Sequence, residues 1–105
     1  MKEKVNNEVL YPEDLLKLVS SRFSHDMLAV FSEIWNRKET GIMWTELLQS
    51  HERYIMEKAL LIFEITGFVE VDIDNRDKRK KRYIPDRTRG PQLAEFIYKL
   101  YEGGN

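Results

Sequence analysis

The sequence predicts a mainly α-helical chain with a small β-hairpin, an α+β fold of about five helices and a two- to three-stranded antiparallel sheet. Apolar residues recur at three- and four-residue spacing through most of the chain, and apolar and acidic residues alternate over 68–74. Eight of the 17 basic residues lie between Arg76 and Arg89. A length of 105 residues, with 42% hydrophobic and 33% charged residues, favours one folded domain over 11–105 after a partly ordered arm at 1–10.

Two helices are predicted in the first third of the chain. Pro12 is a suitable start for the first helix, because proline lacks the amide that would be unpaired there and two acidic residues follow it. Ser24 is predicted as the N-cap of the second helix, which ends near Arg37. The apolar stripes of these helices consist of Leu15, Leu16, Val19 and Phe23, and of Met27, Leu28, Phe31, Ile34 and Trp35.

The middle of the chain predicts a short strand and two helices joined by a tight turn. Residues 42–44 have room for one small strand, and Thr45 can cap a very short third helix. Ser50 lies in the turn and is predicted as the cap of a fourth helix over about 51–66. Gly67 is typical of the residue that follows a helix, where a left-handed backbone is usual. The core-facing stripe of the fourth helix is Met56, Ala59, Leu60 and Phe63.

A hairpin and a last helix are predicted after the fourth helix. The alternation over 68–74 indicates a half-buried strand, and a return strand from about Lys80 stops at Pro85, which cannot donate a ladder hydrogen bond. The hairpin therefore spans about 68–85, and the last helix about 91–102. The apolar face of the last helix consists of Leu93, Phe96, Ile97, Leu100 and Tyr101.

Two helices joined by a short turn and followed by a hairpin with a cationic tip form the arrangement of a winged helix-turn-helix. A helix fits the major groove of duplex DNA, while the hairpin, or wing, can reach the phosphates or the minor groove. The stretches WTELLQSHERYIMEKALLIFEITGFVE and DNRDKRKKRYIPDRTRG resemble the helix-turn-helix and wing of MarR/ArsR-like regulators. The resemblance implies DNA contact by Arg53, Tyr54, Glu57 and Lys58, a packing role for Phe63, a helix end at Gly67, and a wing pair at Asp77 and Arg79.

The candidate DNA-binding residues lie on the fourth helix and on the wing. The net charge between Arg76 and Arg89 is +6, against −7 for the remainder, and cations mounted on a hairpin favour phosphate contact. On the helix, the alternative is a solvated face with an ion pair between Arg53 and Glu57. The helix candidates are Ser50, His51, Arg53, Tyr54, Glu57 and Lys58, and the wing candidates are Arg76, Lys78, Arg79, Lys80, Lys81 and Arg82.

The sequence contains no pattern of a catalytic, cofactor or metal site. There is no cysteine, and His25 and His51 have no second ligand at metal spacing. The adjacent carboxylates Glu13 and Asp14 are explained by the start of a helix. No apolar run approaches the ~20 residues of a membrane span. We therefore expect a cytoplasmic protein that is not an enzyme and uses no cofactor or metal.

The apolar faces of the first and last helices predict a homodimer, because a domain of this size is too small to bury both faces within itself. The leading hypothesis is a small dimeric transcription regulator that binds specific double-stranded DNA sequences. A winged-helix module that binds an acidic protein remains open, as does an architectural or plasmid-partition DNA binder similar to small winged-helix proteins of archaeal plasmids and viruses. Any small-molecule effector stays unknown. The predicted dimer interface consists of Leu15, Val19, Leu93, Phe96, Ile97, Leu100 and Tyr101.

Overall fold

A computed structural model describes residues 9–73, 76–77 and 80–103 of the chain. The predicted arm at 1–10 lies almost entirely outside these residues. In chain order the elements are α1 (Glu13–Ser20), α2 (His25–Asn36), β1 (Ile42–Met43), α3 (Trp44–Leu48), α4 (Arg53–Thr66), β2 (Val69–Ile73), β3 (Lys81–Pro85), α5 (Gly90–Tyr98) and a π-helical turn (Lys99–Gly103).

Two of the predicted helix ends are confirmed in detail. The Ser24 hydroxyl accepts a hydrogen bond from the Met27 amide at 3.2 Å and caps α2. Gly67 follows α4 with φ at 83°, in the left-handed region that a residue with a Cβ enters only at a cost.

Two predicted N-caps are wrong, because acidic side chains take the capping role. The Glu52 carboxylate accepts from the Ile55 amide at 3.0 Å, so α4 begins at Arg53, and Ser50 is part of the preceding turn. The Glu46 carboxylate accepts from the Met43 amide at 2.9 Å. As a result α3 begins at Trp44, two residues before the start predicted from a Thr45 cap.

The three strands form an antiparallel sheet in the order β1-β3-β2, so the return strand of the hairpin is central. Tyr83 pairs with Ile42 on one side and with Val71 on the other. The strand reaches one residue farther than predicted, since Pro85 pairs with Val69 at the end of the ladder, where proline is tolerated.

The core lies between the helices and one face of the sheet, with Phe63 of α4 in contact with two other aromatic rings. The Phe63 ring is edge-on to Phe23 at 5.1 Å and to Phe31 at 5.7 Å between centroids. The predicted core stripe of α4 is confirmed, and the buried apolar residues include Val30, Phe31, Ile34, Ile42, Leu47, Met56, Ala59, Leu60, Phe63, Phe68 and Leu93.

Polar contacts tie the start of the described chain to the end of α4 and to α5. The Arg89 guanidinium donates to the carbonyl oxygens of Val9 at 2.8 Å and of Thr66 at 3.0 Å. It also lies 4.3 Å from the centroid of the Tyr11 ring. The Gln92 side chain accepts from the Tyr11 amide at 3.0 Å and donates to the Tyr11 carbonyl at 2.9 Å. Arg89 therefore has a structural role, although the sequence places it in the basic segment.

The start of α5 is organised by a buried carboxylate. Asp86 is 2% exposed, and its Oδ2 accepts from the amides of Thr88 at 2.9 Å and Arg89 at 2.8 Å. These bonds turn the chain directly after β3, so α5 begins at Gly90, slightly before the predicted start at 91.

Candidate nucleic-acid interface

The turn between α3 and α4 is attached to α2 by a histidine and a carboxylate. His51 Nε2 lies 2.7 Å from Glu33 Oε1, and the histidine side chain is only 13% exposed. The sequence places His51 on the DNA-binding face. Its observed contact instead positions the turn that precedes α4, and the neighbouring Ser50 continues that turn through a backbone bond to Leu47 at 3.1 Å.

The face of α4 that points away from the core consists of Tyr54, Lys58, Leu61 and Ile65. Tyr54 is 68% exposed, Leu61 58% and Ile65 74%. Tyr54 and Lys58 are among the residues predicted from the sequence, whereas Leu61 and Ile65 are not. The sequence could have predicted the exposure of Leu61 and Ile65. They lie seven and eleven residues after Tyr54, and this spacing places them opposite the core stripe.

Arg53 lies at the N-terminal end of α4 and is held by two neighbours. Its Nε donates to Glu57 Oε2 at 3.2 Å, and its guanidinium carbon lies 5.3 Å from the centroid of the Trp44 ring. The ion pair considered from the sequence is thus present, between two exposed side chains. The carboxylate of Glu57 therefore holds the guanidinium of Arg53 near Trp44 of α3 and partly neutralises its positive charge.

One face of the sheet is turned towards α4. Tyr83 on β3 is 5% exposed, and burial is the main reason why its pKa is raised to about 12. The negative charges of Glu64 and Glu57 on α4 raise this pKa further. Tyr83 is also part of the same buried cluster as Met56 and Phe63 of α4, so its side of the sheet faces that helix. Side chains two residues apart on a strand share a face, so Lys81 lies on the same side of the sheet as α4.

Above pH 10, the wild-type protein is expected to lose stability that a Tyr83→Phe variant keeps. The raised pKa means that the folded state favours the neutral phenol. Its contribution is complete below the unfolded-state pKa near 10 and disappears as the pH rises through about 12. We expect the difference in unfolding free energy between the two proteins to change by about 2 kcal/mol over this window. Urea unfolding at several pH values measures it, and a constant difference from pH 9 to pH 12 would contradict it.

Arg82 lies on the opposite face of the sheet from Tyr83. Its methylene groups pass over Gly41, where φ is 78° and no room remains for a Cβ. Its charge also acts on Glu46 of α3. The pKa of this carboxyl is lowered mainly by the hydrogen bond from the Met43 amide, with Arg37 and Arg82 adding to the effect. This predicted wing candidate therefore faces away from α4.

Three of the remaining wing candidates are among the described residues. Arg76, Lys80 and Lys81 are exposed, and the Lys80 amide donates to the Asp77 carbonyl at 2.9 Å. Lys78 and Arg79 lie outside the described residues. The strand register places Lys81 on the side of the sheet that faces α4.

The residues predicted at a dimer interface divide into a buried, a half-buried and an exposed set. Leu93 is fully buried in the chain's own core and offers no surface to a partner, which corrects its predicted placement. Leu15, Leu100 and Tyr101 are exposed, and the Tyr101 hydroxyl lies 2.5 Å from His25 Nδ1. The half-buried residues are Val19, Phe96 and Ile97.

The described ranges contain neither a metal-binding cluster nor a membrane-spanning helix. No cluster of three or more histidine, aspartate or glutamate side chains there is placed to hold a metal ion. In the same part of the chain, no helix is long and apolar enough to cross a membrane.

Comparison with solved structures identifies the fold. The Staphylococcus aureus MepR–DNA complex aligns with a TM-score of 0.67 at 12% identity, over 88% of this chain and 74% of MepR. A MepR mutant bound to an oligodeoxyribonucleotide aligns at 0.65 and 11%, over 88% and 72%. MarR aligns at 0.63 and 22%, over 89% and 77%.

The sequence by itself matches no family model and no curated protein. The similarity to known proteins is therefore a similarity of structure, and it shows the fold alone. The winged helix-turn-helix predicted from the sequence is confirmed, as is the resemblance of its architecture to MarR-type regulators.

Proposed function

We propose that this chain binds specific double-stranded DNA sequences and acts as a small dimeric transcription regulator. The observation that carries the proposal is the position of Lys81 on the same face of the sheet as Tyr83, which packs towards α4, so that a wing cation and the exposed side of α4 can meet one duplex. The solved complex of MepR with DNA, which has the same fold, supports it. The helix enters the major groove, and the wing contacts phosphates or the minor groove.

Replacing Tyr54 by alanine is expected to reduce discrimination between a selected duplex and a scrambled one by about tenfold, within the range of a lost base contact. Tyr54 is exposed near the N-terminal end of α4, where a recognition helix meets base edges. Arg53→Ala should act similarly, with some general weakening from the lost charge. The duplex comes from selection out of a random pool, and both affinities are measured by fluorescence anisotropy at one salt concentration.

Leu10→Ala provides the control, since Leu10 is an exposed apolar residue that lies outside α1, α4 and α5. This variant should keep the wild-type ratio of affinities. Equal ratios for Tyr54→Ala and wild type would remove α4 from base recognition.

The proposed dimer is formed by α1, α5 and the π-helical turn that follows α5. The helices α1 and α5 pack against each other, and Leu15, Leu100 and Tyr101 are exposed. Two-fold pairing would set two α4 helices about 34 Å apart, one turn of duplex. We expect sedimentation at tens of micromolar to give twice the 12.6 kDa mass of the chain. Leu100→Asp should shift the mass towards one chain, while Ile65→Asp on α4 should not. A wild-type mass of one chain would rule the dimer out.

A winged-helix module that binds an acidic protein is the second candidate. The observation in its favour is the apolar surface of Leu61 and Ile65 on α4, which a partner protein could cover. Failure to bind any duplex at low salt would favour this candidate over DNA binding. An architectural DNA binder would instead bind duplexes but give footprints without fixed boundaries.

A further inference from the structure

The exposed face of α4 is apolar for a helix that is proposed to enter the major groove. Lys58 is the one cation between Tyr54, Leu61 and Ile65 on that face. Arg53, at the edge of the face, is restrained by Glu57 and the Trp44 ring. The helix therefore offers few free donors to base edges.

This composition fits one base better than the others. Guanine presents two acceptors in the major groove and is read by arginine or lysine, whereas thymine presents a methyl group that an apolar side chain can contact. Leu61 lies eight residues after Arg53, about 12 Å along the axis, which is comparable to the width of the major groove. It is also seven residues after Tyr54, so both side chains lie on one line of the helix.

We propose that Leu61, together with Tyr54 about two turns before it, contacts thymine methyl groups, and that the preferred sites therefore carry thymine opposite this line of α4. The inference rests on the proposed DNA binding. Charge complementarity supports nucleic acid as the occupant of this apolar strip, because Lys58 lies within the strip and Lys81 on the neighbouring face of the sheet.

The test is to replace thymine by deoxyuridine in the highest-ranking duplex selected from a random pool. Uracil pairs like thymine but lacks the methyl group. The substitution therefore removes the proposed contact, together with any contribution of the methyl group to the shape of the duplex. Wild-type protein should bind the uracil duplex about fourfold more weakly for each methyl group contacted, as expected for about 0.8 kcal/mol per buried carbon. In Leu61→Ala this ratio should fall by about fourfold.

Leu10→Ala is the matched control, because Leu10 lies outside α1, α4 and α5, is 56% exposed and undergoes the same truncation. It should keep the wild-type uracil ratio. An equal ratio in wild type and Leu61→Ala, the absence of any uracil effect, or a selected site without thymine would each overturn the inference while leaving DNA binding intact. Absence of binding to every duplex at low salt would instead overturn the proposed function, and this inference with it.

Discussion

Replacing Lys80 and Lys81 together by alanine is expected to weaken binding to all duplexes alike, by about 100-fold near 50 mM salt. Both side chains are exposed, and the register places Lys81 on the α4 side of the sheet. Each lost phosphate contact should lower the slope of log K against log salt by about 0.9, so the slope should fall by about 1.8. The affinities of the two proteins should converge as the salt approaches about 1 M, where counterion release no longer contributes.

A charge-matched control separates local contact from net charge. Lys17 and Lys99 are exposed lysines on α1 and just after α5, each paired with a glutamate four residues earlier. Replacing both by alanine changes the net charge of the chain by the same amount as the wing variant. This control should keep the wild-type slope. If the two double variants shifted the slope equally, a diffuse field would account for binding and the wing would have no special role.

The fold could be predicted from the sequence wherever a local pattern determines it. Hydrophobic periodicity gave the five helices, and the alternation over 68–74 gave the first strand of the hairpin. Ser24 and Gly67 marked helix ends correctly, because each acts on the backbone within a few residues. The errors at Thr45 and Ser50 arose where several polar residues in succession could each cap a helix, and there Glu46 and Glu52 accept the amide hydrogen bonds.

The candidate site was harder to predict, because charge counting ignores where a side chain points. Arg89 belongs to the basic segment by sequence, yet its guanidinium bonds to carbonyls of Val9 and Thr66, which are 80 and 23 residues away. The alternation of a strand could have separated Lys81 from Arg82 in advance, since neighbouring residues take opposite faces. Leu61 was not among the predicted residues, because an exposed apolar side chain carries neither the charge nor the polar group by which DNA-contacting residues are predicted.

Phe63→Ala is expected to destabilise the protein by about 3–5 kcal/mol, the range for removal of a fully buried phenylalanine. Phe63 has no exposed surface, and its ring is edge-on to those of Phe23 and Phe31. The truncation would leave a cavity between α4 and α2 and remove both aromatic contacts. Urea unfolding should show a lower midpoint with an unchanged m-value. Because whole domains are stable by only about 5–15 kcal/mol, this loss removes a large share of the free energy of unfolding.

Leu61→Ala is the control for that measurement, and the pair tests the orientation of α4. Leu61 lies two residues before Phe63 on the same helix but is 58% exposed, so its truncation should cost within about 0.5 kcal/mol. A large loss for Phe63→Ala and almost none for Leu61→Ala fixes which face of α4 meets the core and which is free for DNA. Similar losses in the two variants would mean that the helix is rotated. Tyr54, Lys58 and Leu61 would then not form one outer face, and the proposed base reading by α4 would fail.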